Sequence, residues 1–158
     1  MHAHIVFATK NRQKLILPAW REQLHEYLGG TAKGLGAYPQ GIGGVEDHVH
    51  LLIGFKATHR LSDFIRELKK ASSIWIHDKI KSENFRWQEG YSAFSVSAPA
   101  HPSVQRYIAN QEEHHRKKSH REELIELLER AGIEFNPKLV KHCLHPFGVP
   151  MDLGAMVP

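Results

Sequence analysis

Two short stretches of this chain carry side chains that could act together on a substrate. The first is Asp47-His48-Val49-His50-Leu51-Leu52-Ile53, where two histidines stand two residues apart in a β-branched, leucine-rich run. Side chains alternate faces along a strand, so His48 and His50 share one face while Val49, Leu51 and Ile53 share the other. The two imidazoles then lie roughly 6.5–7 Å apart along the strand, close enough for one small ion to bridge them. A half-buried strand whose polar face is histidine has the same pattern, and this stretch alone leaves both readings open. The second stretch is Tyr107-Ile108-Ala109-Asn110-Gln111. On a helix Tyr107 and Gln111, four apart, project together. His115 continues that stripe, with His114 beside it. An amphipathic helix with a polar edge is the commoner origin of such a pair. This stripe, however, lacks the leucine and isoleucine of a core face. Val104 and Ile108 fall on the neighbouring side, where they are expected to anchor the helix and leave Tyr107 free.

The elements that must position these residues can be traced from periodicity. His4 to Thr9 predicts a first strand, followed by the cations Lys10 and Arg12. Pro18 suits the first turn of a helix with Trp20, Leu24, Tyr27 and Leu28 at helical spacing, and Gly29-Gly30 is expected to end it. Thr31 to Gly44 predicts a loop with a short strand around Ile42. Gly43 to Asp47 then turns into a strand from His48 to Phe55, the second arm of a hairpin. A strong helix is expected from Leu61 to Lys79, with Leu61, Ile65, Leu68, Ser72 and Trp75 on one face and Phe64 widening it. Arg66, Lys69 and Lys70 cluster elsewhere on that helix. Phe85 to Tyr91 reads as an aromatic loop and Ala93 to Ala98 as a last strand. Pro99 and Pro102 open a helix from Ser103 to about Lys117. Ser119 and Glu122 form a capping box for a final helix to Ala131, stopped by Gly132. The signals fade into an irregular tail from about residue 135. The order β-α-β-β-α-β predicts an α+β, ferredoxin-like (RRM-like) antiparallel four-stranded sheet with helices on one face, plus C-terminal helices. Residues 1–158 read as one domain, without repeats or linkers.

Bulk composition agrees with a folded chain. Hydrophobic residues make up 41% and charged residues 24% of the 158, which argues against disorder. No apolar run approaches a membrane span, and no signal-peptide pattern opens the sequence. The single cysteine, Cys143, excludes an internal disulfide and a cysteine-built zinc site. A cytoplasmic protein is the expectation. The formal charge of +4 and pI of about 9.2, with 13 histidines besides, are compatible with nucleic-acid partners without demanding them.

Asp47-His48-Val49-His50, then Tyr107-Ile-Ala-Asn-Gln111 with His114-His115 after it, resembles the single-tyrosine HUH transposases. These are the small insertion-sequence transposases and the REP-associated tyrosine transposases. The likeness extends to His4-Ile-Val-Phe-Ala-Thr-Lys-Asn-Arg12 and to Arg86-Trp87-Gln88-Glu89-Gly90-Tyr91-Ser92-Ala93-Phe94-Ser95-Val96-Ser97. A lone His-x-His is weak; with Tyr-x-x-x-Gln in this order of elements it is specific. The resemblance implies cleavage and rejoining of single-stranded DNA at hairpin-marked ends. It implies Tyr107 as nucleophile, His48, His50 and Gln111 as ligands of a divalent metal, Mg²⁺ or Mn²⁺, and a 5′-phosphotyrosine intermediate. A homodimer is the expected assembly. The chemistry is coherent. A phenol with a pKa near about 10 is a poor nucleophile at neutral pH unless a cation or base lies close. Two imidazoles and an amide oxygen would leave the metal's charge largely uncompensated for that task. Imidazole itself favours zinc or nickel, so Mg²⁺ follows from the resemblance and not from the ligand set.

Lys10, Arg12, Arg66, Lys69 and Lys70 are candidates for phosphate contacts, or are solvated surface. Trp87 and Tyr91 could stack on unpaired bases or pack in their loop. Asp47 could accept a hydrogen bond from a histidine, or simply make the turn. Tyr27 and Tyr38, on a core helix and in a loop, have no glutamine four residues on. Two other functions stay open: a non-catalytic single-stranded nucleic-acid-binding module with an RRM-like sheet, and a zinc-dependent regulator.

Overall fold

The computed structural model describes residues 1–115, 120–130 and 132. The tail from about 135 and Cys143 lie outside the described residues. Strand β1 is His2–Ala8, helix α1 Pro18–Gly34, β2 Tyr38–Gly44, β3 His48–Gly54, α2 Leu61–Trp75 and β4 Ser92–Ser95. Three helices follow: α3 His101–Ala109, α4 Gln111–His115 and α5 His120–Arg130. The four strands form one antiparallel sheet in the order β2-β3-β1-β4. This is the ferredoxin-like arrangement expected from the order of elements.

Alternation along β1 and β3 gives the sheet two unlike faces. Ala3, Ile5, Phe7, Val49, Leu51 and Ile53 point into the main core, where α1 contributes Trp20, Leu24 and Leu28 and α2 contributes Phe64, Ile65 and Leu68. On the other face lie His4, His48, His50 and Leu52. There Leu52 packs with Tyr107 and Ile108 of α3, with Val96, Val104 and Leu127 beside them. Because β3 is an inner strand covered on both faces, all seven of its residues are buried. The half-buried strand considered from sequence is thus excluded.

Several boundaries differ from expectation; β4, expected from Ala93 to Ala98, is the shorter Ser92–Ser95. Helix α1 continues through Gly29-Gly30 to Gly34. Its interior is held by burial of Leu28 and Ala32, and a Cβ on Gly29 would already touch Ile42 of β2 at 3.4 Å. The two glycines are thus interior helix positions and do not terminate it. Tyr38 accordingly opens β2 and does not sit in a loop. Helix α2 gives way after Trp75 to a π-helical turn, Ile76–Ile80, ended by left-handed Lys81. The helix expected from Ser103 to Lys117 is broken at Asn110 (φ −102°, ψ 23°), so Tyr107 and Gln111 stand on opposite sides of a kink. Among the described residues no helix is long and apolar enough to cross a membrane.

Candidate active site

The hairpin β2–β3 presents the two histidines, and the loop after β1 closes in behind them. Thr9 N donates to Asp47 O at 2.8 Å and Ile16 N to Glu46 O at 2.8 Å, which ties the β1–α1 connection to the hairpin turn. Within that connection Asn11 and Arg12 both have positive φ, 54° and 53°. Left-handed backbone at two successive non-glycine residues is strained. It swings the Arg12 guanidinium onto Asp47, Nη2 to Oδ2 at 3.1 Å, with His48 Nδ1 3.3 Å away. Asp47 in turn holds His48, Oδ1 to Nδ1 at 2.6 Å. The Asp47 carboxylate therefore accepts from the His48 ring.

His48 and His50 are fully buried, with ring centroids 4.9 Å apart. His50 Nδ1 lies 2.9 Å from Nε2 of His4, a buried histidine of β1. His4 has no assigned role in the sequence reading, yet the signal was available: it is an even-numbered residue of β1, so it shares a sheet face with β3's histidines once the strands pair.

Tyr107 comes to the same face. Its ring stands edge-on to His50 and to His4, at 5.6 and 5.9 Å between centroids. It is not free, as expected from its helical stripe, but buried, at 7% exposure. The cause is the seating of α3 on β2. Gly43 of β2 leaves room for Ile108, and Gln105 Nε2 donates to Gln40 O at 2.9 Å. Helix α3 settles so low that Tyr107 is pressed against Leu52 and the histidines. Past the kink, Gln111 is 1% exposed. Its Nε2 donates back to Tyr107 O at 3.2 Å, while its Oε1 is buried and meets no hydrogen-bond donor among the described residues. Beside it, Glu112 forms an ion pair with the buried Arg21 of α1, anchoring α4 to the far side of the edge strand.

Residues 1–111 match the model of the IS200-like transposase family. The chain belongs to that family. The match runs through His48, His50, Tyr107 and ends at Gln111. The transposase is 25% identical over 115 residues to the ISDra2 transposase TnpA of Deinococcus radiodurans, across 68% of this chain and 81% of the relative. Among solved structures, a candidate transposase of D. radiodurans R1 superposes with a TM-score of 0.56 at 26% identity, over 70% of this chain and 90% of that one. A REP-associated tyrosine transposase bound to a REP hairpin superposes with a TM-score of 0.53 at 14% identity, over 69% and 64%. At that identity the second likeness shows the shared fold.

Whether the site fits a divalent metal can be judged from the transposase's own atoms. Both histidines have Nδ1 engaged, so a metal held by these rings would be met by Nε2. A buried amide oxygen without a donor costs roughly 1–3 kcal/mol, and a cation would remove that cost. Gln111 Oε1 fits. No three His, Cys, Asp or Glu side chains form a metal-holding group among the described residues. A metal held by His48 and His50 would need a further ligand of another type, and Gln111 Oε1 is a candidate.

The cations expected to contact phosphate scatter. Lys10 is exposed. Arg12 is committed to Asp47, and Arg66 pairs with Asp63 and Glu67. Lys69 does not join Arg66 and Lys70 on a common patch: its Nζ lies over the Phe7 ring and donates to Gln88 O at 2.9 Å and Gly90 O at 2.5 Å. Burial lowers its pKa to about 8, against the raising influence of Glu89. Trp87 packs between Phe7 and Phe85 and donates to Ser72 Oγ at 3.0 Å, whereas Tyr91 is exposed. The side chains of His114 and His115 lie outside the described residues.

Proposed function

We propose that this transposase cuts and rejoins single-stranded DNA at hairpin-marked ends through a covalent link to Tyr107. The observation that supports the reading is the contact of Tyr107 with His50, itself beside His48, on a covered sheet face, with the buried Gln111 Oε1 just past the kink that ends the tyrosine helix.

Tyr107 oxygen would attack the scissile phosphorus and give up its proton. The bond from phosphorus to the 3′-oxygen breaks, and that oxygen takes a proton. A 5′-phosphotyrosine and a free 3′-hydroxyl result, and attack by a new 3′-hydroxyl reverses the step without ATP. His48 Nε2, His50 Nε2 and Gln111 Oε1 would hold Mg²⁺ or Mn²⁺, which when bound polarises the phosphate and favours the phenolate. Asp47, backed by Arg12, keeps His48 in the tautomer that presents Nε2. Leu52, Val104 and Ile108 keep Tyr107 against the histidines. A homodimer is the proposed assembly; light scattering in solution tests it.

The test is incubation with hairpin-bearing single-stranded DNA and Mg²⁺ or Mn²⁺, then a denaturing gel. A protein–DNA adduct is expected from wild type and none from Tyr107→Phe. His48→Ala is expected to abolish cleavage while hairpin binding persists. Binding by wild type and Tyr107→Phe with no adduct from either would leave only a nucleic-acid-binding module.

A further inference from the structure

We propose that His4 is a positioning residue for the metal-ligating edge of His50, fixing both its tautomer and its ring plane. The proposal rests on the reading that His48 and His50 hold a divalent ion. Strand register places Val6 opposite His50 and His4 opposite Leu52, so His4 reaches His50 along the diagonal of the ladder. The contact is Nε2 to Nδ1 at 2.9 Å, with both rings buried. One of the two nitrogens must carry the proton. If His4 donated, His50 would hold its own proton on Nε2 and could not ligate. If His50 donates from Nδ1, the lone pair on Nε2 is the one that can face an ion. His4 is then the acceptor.

The surroundings argue for this use. His4 is packed by the rings of His50, Phe94 and Tyr107, at 5.1, 6.3 and 5.9 Å between centroids. An aliphatic residue would fill that space without burying a polar ring, and a polar group buried there is stabilising only when hydrogen-bonded. The two histidines of β3 are thus held by the same device with different acceptors, a carboxylate for His48 and a neutral imidazole for His50. A metal-bound histidine ordinarily donates its other N–H to a carboxylate, carbonyl or water, and losing that partner typically costs roughly 10- to 100-fold in metal affinity. Because the His4 ring also touches Tyr107, it ties the orientation of the ligand to that of the nucleophile.

The measurement is ¹⁵N–¹H imidazole NMR on the full metal-free chain, with Mn²⁺ titration alongside. In wild type, His50 is expected to carry its proton on Nδ1. His4→Leu should move that proton and weaken Mn²⁺ binding by roughly 10- to 100-fold. His4→Gln, whose Oε1 can accept near the position of Nε2, should restore the tautomer and most of the affinity. Should His4→Leu fail to fold, His4→Gln beside wild type still decides. A proton on His50 Nε2 in wild type, or equal Mn²⁺ loss in the two variants, would overturn the proposal. Unchanged Mn²⁺ affinity in His48→Ala would instead sink the metal reading, while the tautomer result stands separately.

Discussion

Replacing Gly43 by alanine should slow adduct formation without unfolding the protein. A Cβ at this position would lie 2.4 Å from the Ile108 carbonyl oxygen, 3.2 Å from the carbonyl carbon and 3.0 Å from Cγ2. Non-bonded carbons settle at roughly 3.5–4.0 Å, so α3 has to retreat by about 1 Å. Two of the three obstructing atoms are backbone and cannot rotate away. Overpacking of this kind costs roughly 1–3 kcal/mol, which a domain of ordinary stability survives. Tyr107 and Gln111 flank Ile108 and must move with it. A misplacement of about 1 Å at a reacting group costs on the order of 10²-fold in rate. The assay is the single-turnover rate of adduct formation, with a thermal melt and hairpin affinity measured on the same sample. Gly30→Ala is the control: nothing lies within 4 Å of a Cβ there, and alanine in a helix interior should add roughly 0.5–1 kcal/mol. Wild-type adduct rates in Gly43→Ala, with the expected destabilisation, would refute the claim that the seating of α3 on β2 positions the nucleophile.

Other expectations follow from single contacts. Asp47→Asn should lower Mn²⁺ affinity by roughly 10-fold, measured by titration, since the carboxylate holding His48 Nδ1 is lost. Glu112→Ala should cost about 1 kcal/mol in a urea melt, a modest value because Glu112 is 78% exposed although Arg21 is buried. It should also reduce adduct formation more than it reduces hairpin binding, because α4 carries Gln111. His25 has its pKa lowered to about 4, first by burial and then by Arg21. The unfolded chain therefore binds more protons between about pH 6.5 and 4, and stability falls as pH falls through that window. In His25→Leu, urea midpoints compared at pH 7 and pH 4.5 should show a smaller loss than wild type.

Periodicity was enough to read the ferredoxin-like order, since alternation in β1 and β3 and the apolar face of α2 are local patterns. What it could not read were features set by one element leaning on another. Gly29-Gly30 resembles a helix stop, yet burial of Leu28 and Ala32 carries the helix on to Gly34. Tyr107 looks exposed because its helical stripe is polar, and only Gly43 of β2 reveals that the helix sinks onto the sheet. Asn110 breaks the helix between two residues whose spacing implied a continuous one. Lys69 has the spacing of a phosphate-binding cluster, yet two loop carbonyls claim it. His4 was hidden for a related reason: its importance is its diagonal to His50, and strand register is not written in either strand alone.

The two sides of the sheet are insulated by very different amounts of hydrocarbon. Toward α1 and α2 lie the rings and branched chains of some of the chain's largest fully buried residues, Ile16, Leu24, Leu28, Ile65, Leu68 and Phe85 among them. The layer over the histidines is held by Leu52, Tyr107, Ile108 and a few half-covered neighbours. Free energies of local opening follow the apolar contact each unit would lose. The helix that carries Tyr107 should therefore open at a lower free energy than the strand that carries His48 and His50. Amides of α3 should exchange with solvent well before those of α2 and β3. If Tyr107 is the nucleophile, such a scaffold would hold His48 and His50 fixed and let the tyrosine helix be the element displaced when a strand of DNA enters.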